Sequence, residues 1–323
     1  MKKHLIAAAV AAAVTVPAAA QVSVYGSVGA EYNVTKTDAA TSTTSVGTST
    51  SLGTPVLGLR GSEDLGGGMK VEFQLEGQLN SSYGNVGGTG NMFDRHSWVG
   101  VSGGFGSIKF GRTNTAMKDL DGFSDTGANL FDQEHTDFTV LNARAANQVR
   151  YDSPAVAGIT VAISSSFSNA ASAGSTNAEA GAEINSARIS YSAGPLQVGV
   201  GVGETKTIGT IFKESHKTIG ASYDLGFATV NAAYSSADVT ATADVNDKAV
   251  GIAIPVGSGI TIRANYAATN FSASDTADSK RAGVLVQKSL SKRTNVFAGY
   301  RADNMGSTTA DSEITAFGIQ HSF

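Results

Sequence analysis

Residues 21–34 read QVSVYGSVGAEYNV and decide the fold. The even positions carry apolar or small side chains, while the odd positions from Gln21 to Asn33 are mostly polar. A period of two residues is typical of a β-strand with one apolar and one polar face. Ordinary strands have about 5–6 residues, so a strand of this length indicates an unusual environment.

The first twenty residues, MKKHLIAAAVAAAVTVPAAA, have a different pattern. Lys2 and Lys3, an apolar run and the small residues before Gln21 predict a secretory signal peptide, cleaved after residue 20. An N-terminal membrane anchor is the alternative, and it is disfavoured because the apolar run is shorter than the roughly 20 residues of a spanning helix. The domain assignment is therefore 1–20 for the signal peptide and 21–323 for the mature protein.

Charge and cysteine content exclude several classes of protein. Without Lys2 and Lys3 the count of Lys and Arg falls from 23 to 21, against 27 Asp and Glu. The mature chain is thus acidic and has no basic tract, so we expect no nucleic-acid partner. The chain has no cysteine, so an exported protein of this sequence must be held together without disulfides. No apolar window after residue 20 is long enough to predict a transmembrane helix.

The alternating pattern recurs along the whole mature chain. It predicts sixteen strands, at 21–35, 53–62, 68–80, 92–102, 106–113, 144–152, 157–167, 184–192, 195–205, 215–225, 227–237, 247–255, 260–270, 280–290, 293–302 and 313–323. Their lengths are close to the roughly 9–11 residues that a tilted strand needs to cross a bilayer.

The predicted connections alternate between long and short. The longest covers 114–143, and tight turns such as 103–105 and 193–194 separate the long connections. All long loops therefore lie at one end, and both termini lie at the tight-turn end. An even number of antiparallel strands in this arrangement predicts a 16-stranded transmembrane β-barrel of the bacterial outer membrane. In lipid, a closed barrel satisfies every backbone hydrogen-bonding group internally.

Closure of the barrel gives a prediction for the two ends of the mature chain. The first strand must pair with the last, since an open edge is unstable in lipid. We therefore expect Gln21 and Phe323 to be adjacent and their amine and carboxylate groups to form an ion pair.

Several stretches resemble the general diffusion porins of Gram-negative bacteria, in particular the β-proteobacterial type. They are SVYGSVGAEY (23–32), LGLRGSEDLGGGMKVEFQLE (57–76), FDRHSWVGVSGGFGSIKFGR (93–112), NQVRYDSP (147–154) and AFGIQHSF (316–323). The resemblance implies a homotrimer whose barrels pass small hydrophilic solutes and ions through water-filled channels in the outer membrane. It also implies contacts with outer-membrane lipid, a third extracellular loop folded inward, and a terminal aromatic, Phe323, read by the assembly machinery.

The resemblance further implies a constriction in which loop acids face wall arginines. The matching positions are Asp119, Asp121 and Asp125 on the loop, and Arg95, Arg112 and Arg144 on the wall, with Arg60 and Arg150 as further lumen candidates. The alternative is a solvated loop face and scattered structural arginines. Strict alternation directs Arg112 outward unless a bulge at Gly111 re-aims it. Val56 stands where most relatives have arginine, so we expect only modest selectivity.

The sequence contains little that would support an enzymatic function. The histidines form no H-E-x-x-H pattern and there is no G-x-S-x-G nucleophile motif, so we expect no cofactor and no metal site. A substrate-specific channel and a secreted all-β adhesin remain as alternatives to a passive pore. The low aromatic content, 7% with one Trp, disfavours the first, and the terminal Phe disfavours the second.

Overall fold

The structure is a computed structural model, and it describes nine segments of the chain. They are 21–38, 42–87, 91–124, 144–167, 182–207, 213–240, 243–272, 278–306 and 311–323. The predicted signal peptide, 1–20, lies outside the described residues. Within these segments no helix is sufficiently long and apolar to cross a membrane.

Strands dominate the described segments. They are β1 (Gln21–Thr37), β2 (Ser42–Thr48), β3 (Val56–Gly66), β4 (Met69–Asn80), β5 (Asn85–Val86), β6 (His96–Gly103), β7 (Gly106–Asn114), β8 (Arg144–Asp152), β9 (Ile159–Ser166), β10 (Ala182–Ala193), β11 (Leu196–Thr207), β12 (Lys213–Asp224), β13 (Thr229–Thr240), β14 (Ala243–Gly257), β15 (Ile260–Phe271), β16 (Ser279–Ser289), β17 (Thr294–Asn304) and β18 (Ser312–Ser322). A 3-10 turn, Met117–Leu120, and a short helix, α1 (Asp121–Ser124), follow β7.

The strands close into a barrel. Each wall strand pairs antiparallel with its neighbours, and β1 pairs with β18, from Ser27 opposite Ser322 to Thr37 opposite Ser312. The wall has sixteen positions, because β2 and β3 share the second one and β5 only pairs with the end of β4. The predicted 16-stranded antiparallel barrel is confirmed.

The two faces of the wall differ as the period of two predicts. Large apolar side chains are exposed on one face, including Val24 at 62%, Phe110 at 51% and Phe317 at 55%. Their sequence neighbours, such as Tyr25 and Lys109, make polar contacts on the other face. The apolar face is therefore the outer surface, and the polar face surrounds the lumen.

The second wall strand differs from the prediction. Residues 36–52 were expected to form a loop, but β2 lies within this range and pairs with β1, from Lys36 opposite Ser42 to Ala30 opposite Thr48. The sequence of β2, STTSVGT, has almost no apolar residue, so hydrophobic periodicity does not detect it. The following strand begins at Val56 rather than at 53.

The chain ends are on neighbouring strands but not in register. The Phe323 N–H donates to the Gly26 carbonyl oxygen at 3.0 Å, and the Gly26 N–H donates back at 3.3 Å. Gln21 lies five residues further along β1, opposite Ser62 of β3, which at about 3.3 Å per residue is roughly 16 Å away. The predicted pairing of the first and last strands is confirmed. The predicted adjacency of Gln21 and Phe323 and their ion pair are wrong, because β1 extends beyond the end of β18.

Candidate pore constriction

The described start of the longest loop rests on the inner wall of the barrel. Met117 and Leu120 are 2% and 1% exposed, and Leu120 lies against two glycines of β11. A Cβ atom on Gly199 or Gly201 would lie 2.5 or 2.6 Å from a Leu120 methyl carbon. The residue between these glycines, Val200, is exposed on the outer face. The glycines of VGVGVG (198–203) thus form a seat for the loop, and we call Gly199 and Gly201 the glycine seat.

Backbone groups of the loop are bonded to hydroxyls of the wall. The Ala116 N–H donates to Ser164 Oγ of β9 at 3.0 Å, and the Met117 N–H donates to Ser186 Oγ of β10 at 3.4 Å. The two serine hydroxyls are themselves 2.9 Å apart. These bonds satisfy amide groups that would otherwise be buried without a partner.

Arg150 on β8 ties the loop to the wall and is 4% exposed. Its Nη1 donates to the carbonyl oxygens of Asn114 and Thr115 at 3.0 and 3.2 Å. Its Nη2 forms ion pairs with Asp119 of the loop and, at 2.6 Å, with Asp152. A buried guanidinium with two carboxylates and two carbonyls is fully engaged, so its main role here is to hold the loop.

Sequence reasoning missed a second arginine at this position. Arg188 Nη2 on β10 lies 3.6 Å from an oxygen of Asp119 and 4.0 Å from one of Asp152. The signal was present, because Ile189 and Tyr191 are apolar and exposed on the outer face, which directs Arg188 inward.

A second charged group lies on β4 and the segment before β6. Glu76 accepts hydrogen bonds from Arg95 Nε and from the Tyr25 hydroxyl, both at 2.8 Å. His96 Nε2 is 3.9 Å from the same carboxylate. The alternation of KVEFQLEGQL directs Glu76 inward, but it was not among the predicted site residues.

Arg112 and Arg144 complete this second group. Gly111 has a φ of +127° and the register with β8 shifts between Gly111 and Thr113, so the expected bulge is present. Arg112 Nε then donates to the Asp94 carbonyl oxygen at 2.5 Å. Arg144 Nε is buried without a hydrogen bond among the residues that the structure describes. We call Arg95, Arg112 and Arg144 the arginine group.

Comparison with known proteins agrees with this architecture. The family model described as "Gram-negative porin" matches residues 7–307. The chain belongs to the Gram-negative porins. It is 34% identical over 221 residues to outer membrane porin protein 32 of Delftia acidovorans, a match that covers 64% of this chain and 61% of that protein. It is 38% identical over 173 residues to the major outer membrane protein P.IB of Neisseria gonorrhoeae, covering 50% and 47% of the two chains. The matched region thus spans about half to three fifths of these relatives.

A solved structure shows the same fold over nearly the whole chain. The anion-selective porin from Comamonas acidovorans superposes with a TM-score of 0.79 at 24% identity. The superposition covers 94% of this porin and 100% of that one.

The remaining predicted site residues of this porin are placed as follows. Arg60 is exposed, lies 5.0 Å from the centre of the Tyr25 ring and donates from Nε to Ser23 Oγ at 3.4 Å. Asp121 pairs with Lys118 at 2.5 Å. Asp125 lies outside the described residues. The structure therefore brings Asp119 to Arg150 and Arg188 rather than into contact with the arginine group.

The terminal residue, Phe323, lies on the outer surface of the porin barrel. A Cβ atom on Gly26 would be 2.8 Å from the end of its ring, so the ring covers this glycine. Phe323 itself is 44% exposed.

Proposed function

We propose that this porin forms a water-filled channel for the passive diffusion of small hydrophilic solutes and ions across the Gram-negative outer membrane, after export by its signal peptide. The observation that carries the proposal is the closed wall with an apolar outer face and a charged inner face. Such a barrel of sixteen strands encloses an aqueous channel rather than a packed core. Purified protein added to a planar bilayer should produce discrete conductance steps, and their absence from folded protein would contradict the proposal.

The arginine group is the proposed anion-attracting side of the constriction. Glu76 forms an ion pair with Arg95, and the three arginines give this side of the channel an excess of positive charge. A small excess of positive charge in a confined aqueous passage raises the local concentration of anions. The remaining site residues, Arg60, Arg150 and the three loop aspartates, are proposed to shape the same field, with Asp119 and Arg150 largely neutralising each other.

Reversal potentials in a salt gradient test this filter. Arg144→Gln should shift the potential toward cation selectivity, and Asp121→Asn should shift it toward anion selectivity. Both shifts should shrink from 0.1 M to 1 M salt, because the Debye length falls from about 10 Å to about 3 Å. Arg293→Gln, an exposed position in the tight turn before β17, is the control. Unchanged potentials for both variants at low salt would contradict the filter.

We further propose a homotrimer, with lipid covering the rest of the outer surface and Phe323 recognised by the assembly machinery. The outer face of β1 is smooth, since its side chains are small: Val22, Val24, Gly26, Val28 and Ala30. Small side chains allow two barrel walls to approach closely. Gently extracted protein should therefore migrate as a trimer on semi-native gels and as a monomer after heating. A monomer band without heating would contradict the trimer.

A further inference from the structure

The second wall strand is interrupted by an inward excursion. Thr48 at the end of β2 pairs with Ala30 of β1, and Leu57 of β3 pairs with Gly26. Between these pairs β1 has three residues (27–29), whereas the partner strand has eight (49–56). A continuous antiparallel strand needs equal numbers, so the second strand carries five extra residues. We call residues 49–55, of sequence STSLGTP, the strand insert.

The strand insert enters the lumen. Leu52 packs against Leu285, Phe297 and Ala316, which are 0%, 5% and 0% exposed. The residue that follows Ala316, Phe317, is exposed on the outer face, so the contacted cluster belongs to the inner wall of β16–β18. Leu52 covers this patch, which would otherwise be apolar surface facing water.

Glu31 of β1 holds the centre of the strand insert. Its Oε2 accepts hydrogen bonds from Ser51 Oγ at 2.7 Å, from the Ser51 N–H at 3.2 Å and from the Thr50 N–H at 3.3 Å. Glu31 is 6% exposed and Ser51 is 1% exposed. Hydrogen bonds from backbone amides to an ionised carboxylate are stronger than those between neutral groups, so Glu31 fixes the conformation of this turn.

Additional bonds fix both ends and the tip. The Ser49 N–H donates to the Gly29 carbonyl oxygen at 3.1 Å, and the Pro55 carbonyl oxygen accepts from the Leu79 N–H at 2.8 Å. At the tip, Gln320 Nε2 of β18 donates to the Gly53 carbonyl oxygen at 3.0 Å. Gly53 has a φ of +113°, a conformation that favours glycine. The strand insert is thus bonded to three different wall strands.

We propose that the strand insert is a second size-determining element of the channel, with Glu31 as its positioning residue. The loop on the glycine seat narrows the lumen beside β9–β12, and the strand insert narrows it beside β16–β18. The strand insert contains no charged residue, so it should limit the size of the solutes that pass while adding no charge of its own to the lumen. This inference rests on the proposed channel function.

Removal of residues 51–55 provides the direct test. The deletion leaves three residues, Ser49, Thr50 and Val56, opposite residues 27–29 of β1, which restores a continuous register. Folding is checked by heat-modifiable gel mobility. We expect a larger single-channel conductance and, in liposome swelling, entry of larger uncharged sugars. Conductance and sugar exclusion identical to those of the wild type would overturn the proposal.

Point variants separate the positioning role from a general loss of stability. Glu31→Ala removes the acceptor and should increase conductance and open-channel noise, whereas Glu31→Gln retains an acceptor oxygen and should restore most of the wild-type behaviour. Leu52→Ala should act in the same direction as Glu31→Ala. Val46→Ala, at an exposed position of β2, is the matched control and should have no effect. Equal effects of Glu31→Ala and Glu31→Gln would refute the positioning role.

A cysteine pair tests the placement independently of channel activity. The native chain has no cysteine, so Leu52→Cys with Ala316→Cys gives a unique pair. We expect a disulfide to form on mild oxidation, with the same conductance before and after. Failure to form this disulfide in folded protein would refute the inward position. If the wild type conducts no current, the proposed function fails, and the disulfide still decides where the strand insert lies.

Discussion

One added side chain in the glycine seat should displace the start of the loop that follows β7. In the Gly201→Val variant, the new Cβ would lie 2.6 Å from Leu120 Cδ1 and 3.1 Å from Met117 Cγ. Both side chains are almost fully buried, so neither has free space into which it can move. Valine is otherwise well suited to a strand, so the barrel wall itself should remain intact.

The expected magnitude follows from the packing at the seat. Overpacking of a filled site typically costs about 1–3 kcal/mol, and each 1.4 kcal/mol changes an equilibrium about tenfold. The population of the displaced loop should therefore rise by roughly 5- to 150-fold. Gly201→Ala adds only the Cβ and should give a smaller effect in the same direction.

Hydrogen exchange of the Ala116 and Met117 amides measures this displacement. Both amides donate to wall serines in the docked loop, so their exchange should accelerate by the factor above. Single-channel records should show more frequent conductance changes. Gly47→Val is the control, since a Cβ on Gly47 of β2 meets no atom within 4 Å. Unchanged exchange rates in Gly201→Val would refute the idea that the glycines seat the loop.

Two further predictions concern inward-facing side chains. Arg150→Met should lower the free energy of unfolding by about 3 kcal/mol, because it leaves Asp119 and Asp152 without their main partner. Urea unfolding in liposomes measures this change. A loss below about 1 kcal/mol would contradict the prediction. Trp98, the sole tryptophan, has Lys109 Nζ 5.2 Å from its ring centre. Aqueous iodide should therefore quench its fluorescence more than caesium does, and equal quenching would contradict a cationic, water-accessible environment.

Periodicity in the sequence predicts the face of a residue well. A strand in lipid must direct its charged side chains toward the lumen, because an Arg or Lys that faces lipid at mid-bilayer costs about 2–4 kcal/mol. This single constraint is the reason why the sequence predicts that Arg150 faces the lumen. It also explains the one irregular case, since Arg112 can follow Phe110 only through a bulge, and the positive φ of Gly111 provides it.

The alternating sequence pattern could not predict which charged side chains form ion pairs with each other. Alternation gives the face of Arg150 and Arg188 but not their height in the barrel or their position around it, and it says nothing about Asp119, which lies in the 3-10 turn after β7. Their meeting depends on where the loop after β7 rests, and that depends on the contact of Leu120 with glycines about eighty residues away in sequence. A resemblance in motifs suggested acids opposite the arginine group, whereas the loop places its first acid beside the wall that supports it.

The missed strand β2 has a related cause. Hydrophobic periodicity detects a strand only where one face meets lipid, and β2 lies toward the loop end, where both faces are polar. The strand insert was not predicted for the same reason, although Gly53 and Pro55 are residues that interrupt strands. The predicted strand 53–62 included both residues, whereas the structure begins this strand at Val56.

The glycine seat on β11 and the strand insert between β2 and β3 have the same physical origin. A water-filled barrel has no packed core, so any segment folded inward must find its own seat on the wall. On β11 the seat consists of two glycines, and because glycine has no side chain, Leu120 can approach the backbone. On β16–β18 it is made by an apolar patch that Leu52 covers. The arginine group lies on the segment before β6 and on β7 and β8. In the proposed channel, size selection by the strand insert and charge selection by the arginine group should therefore be separable by mutation, because the strand insert carries no charged residue.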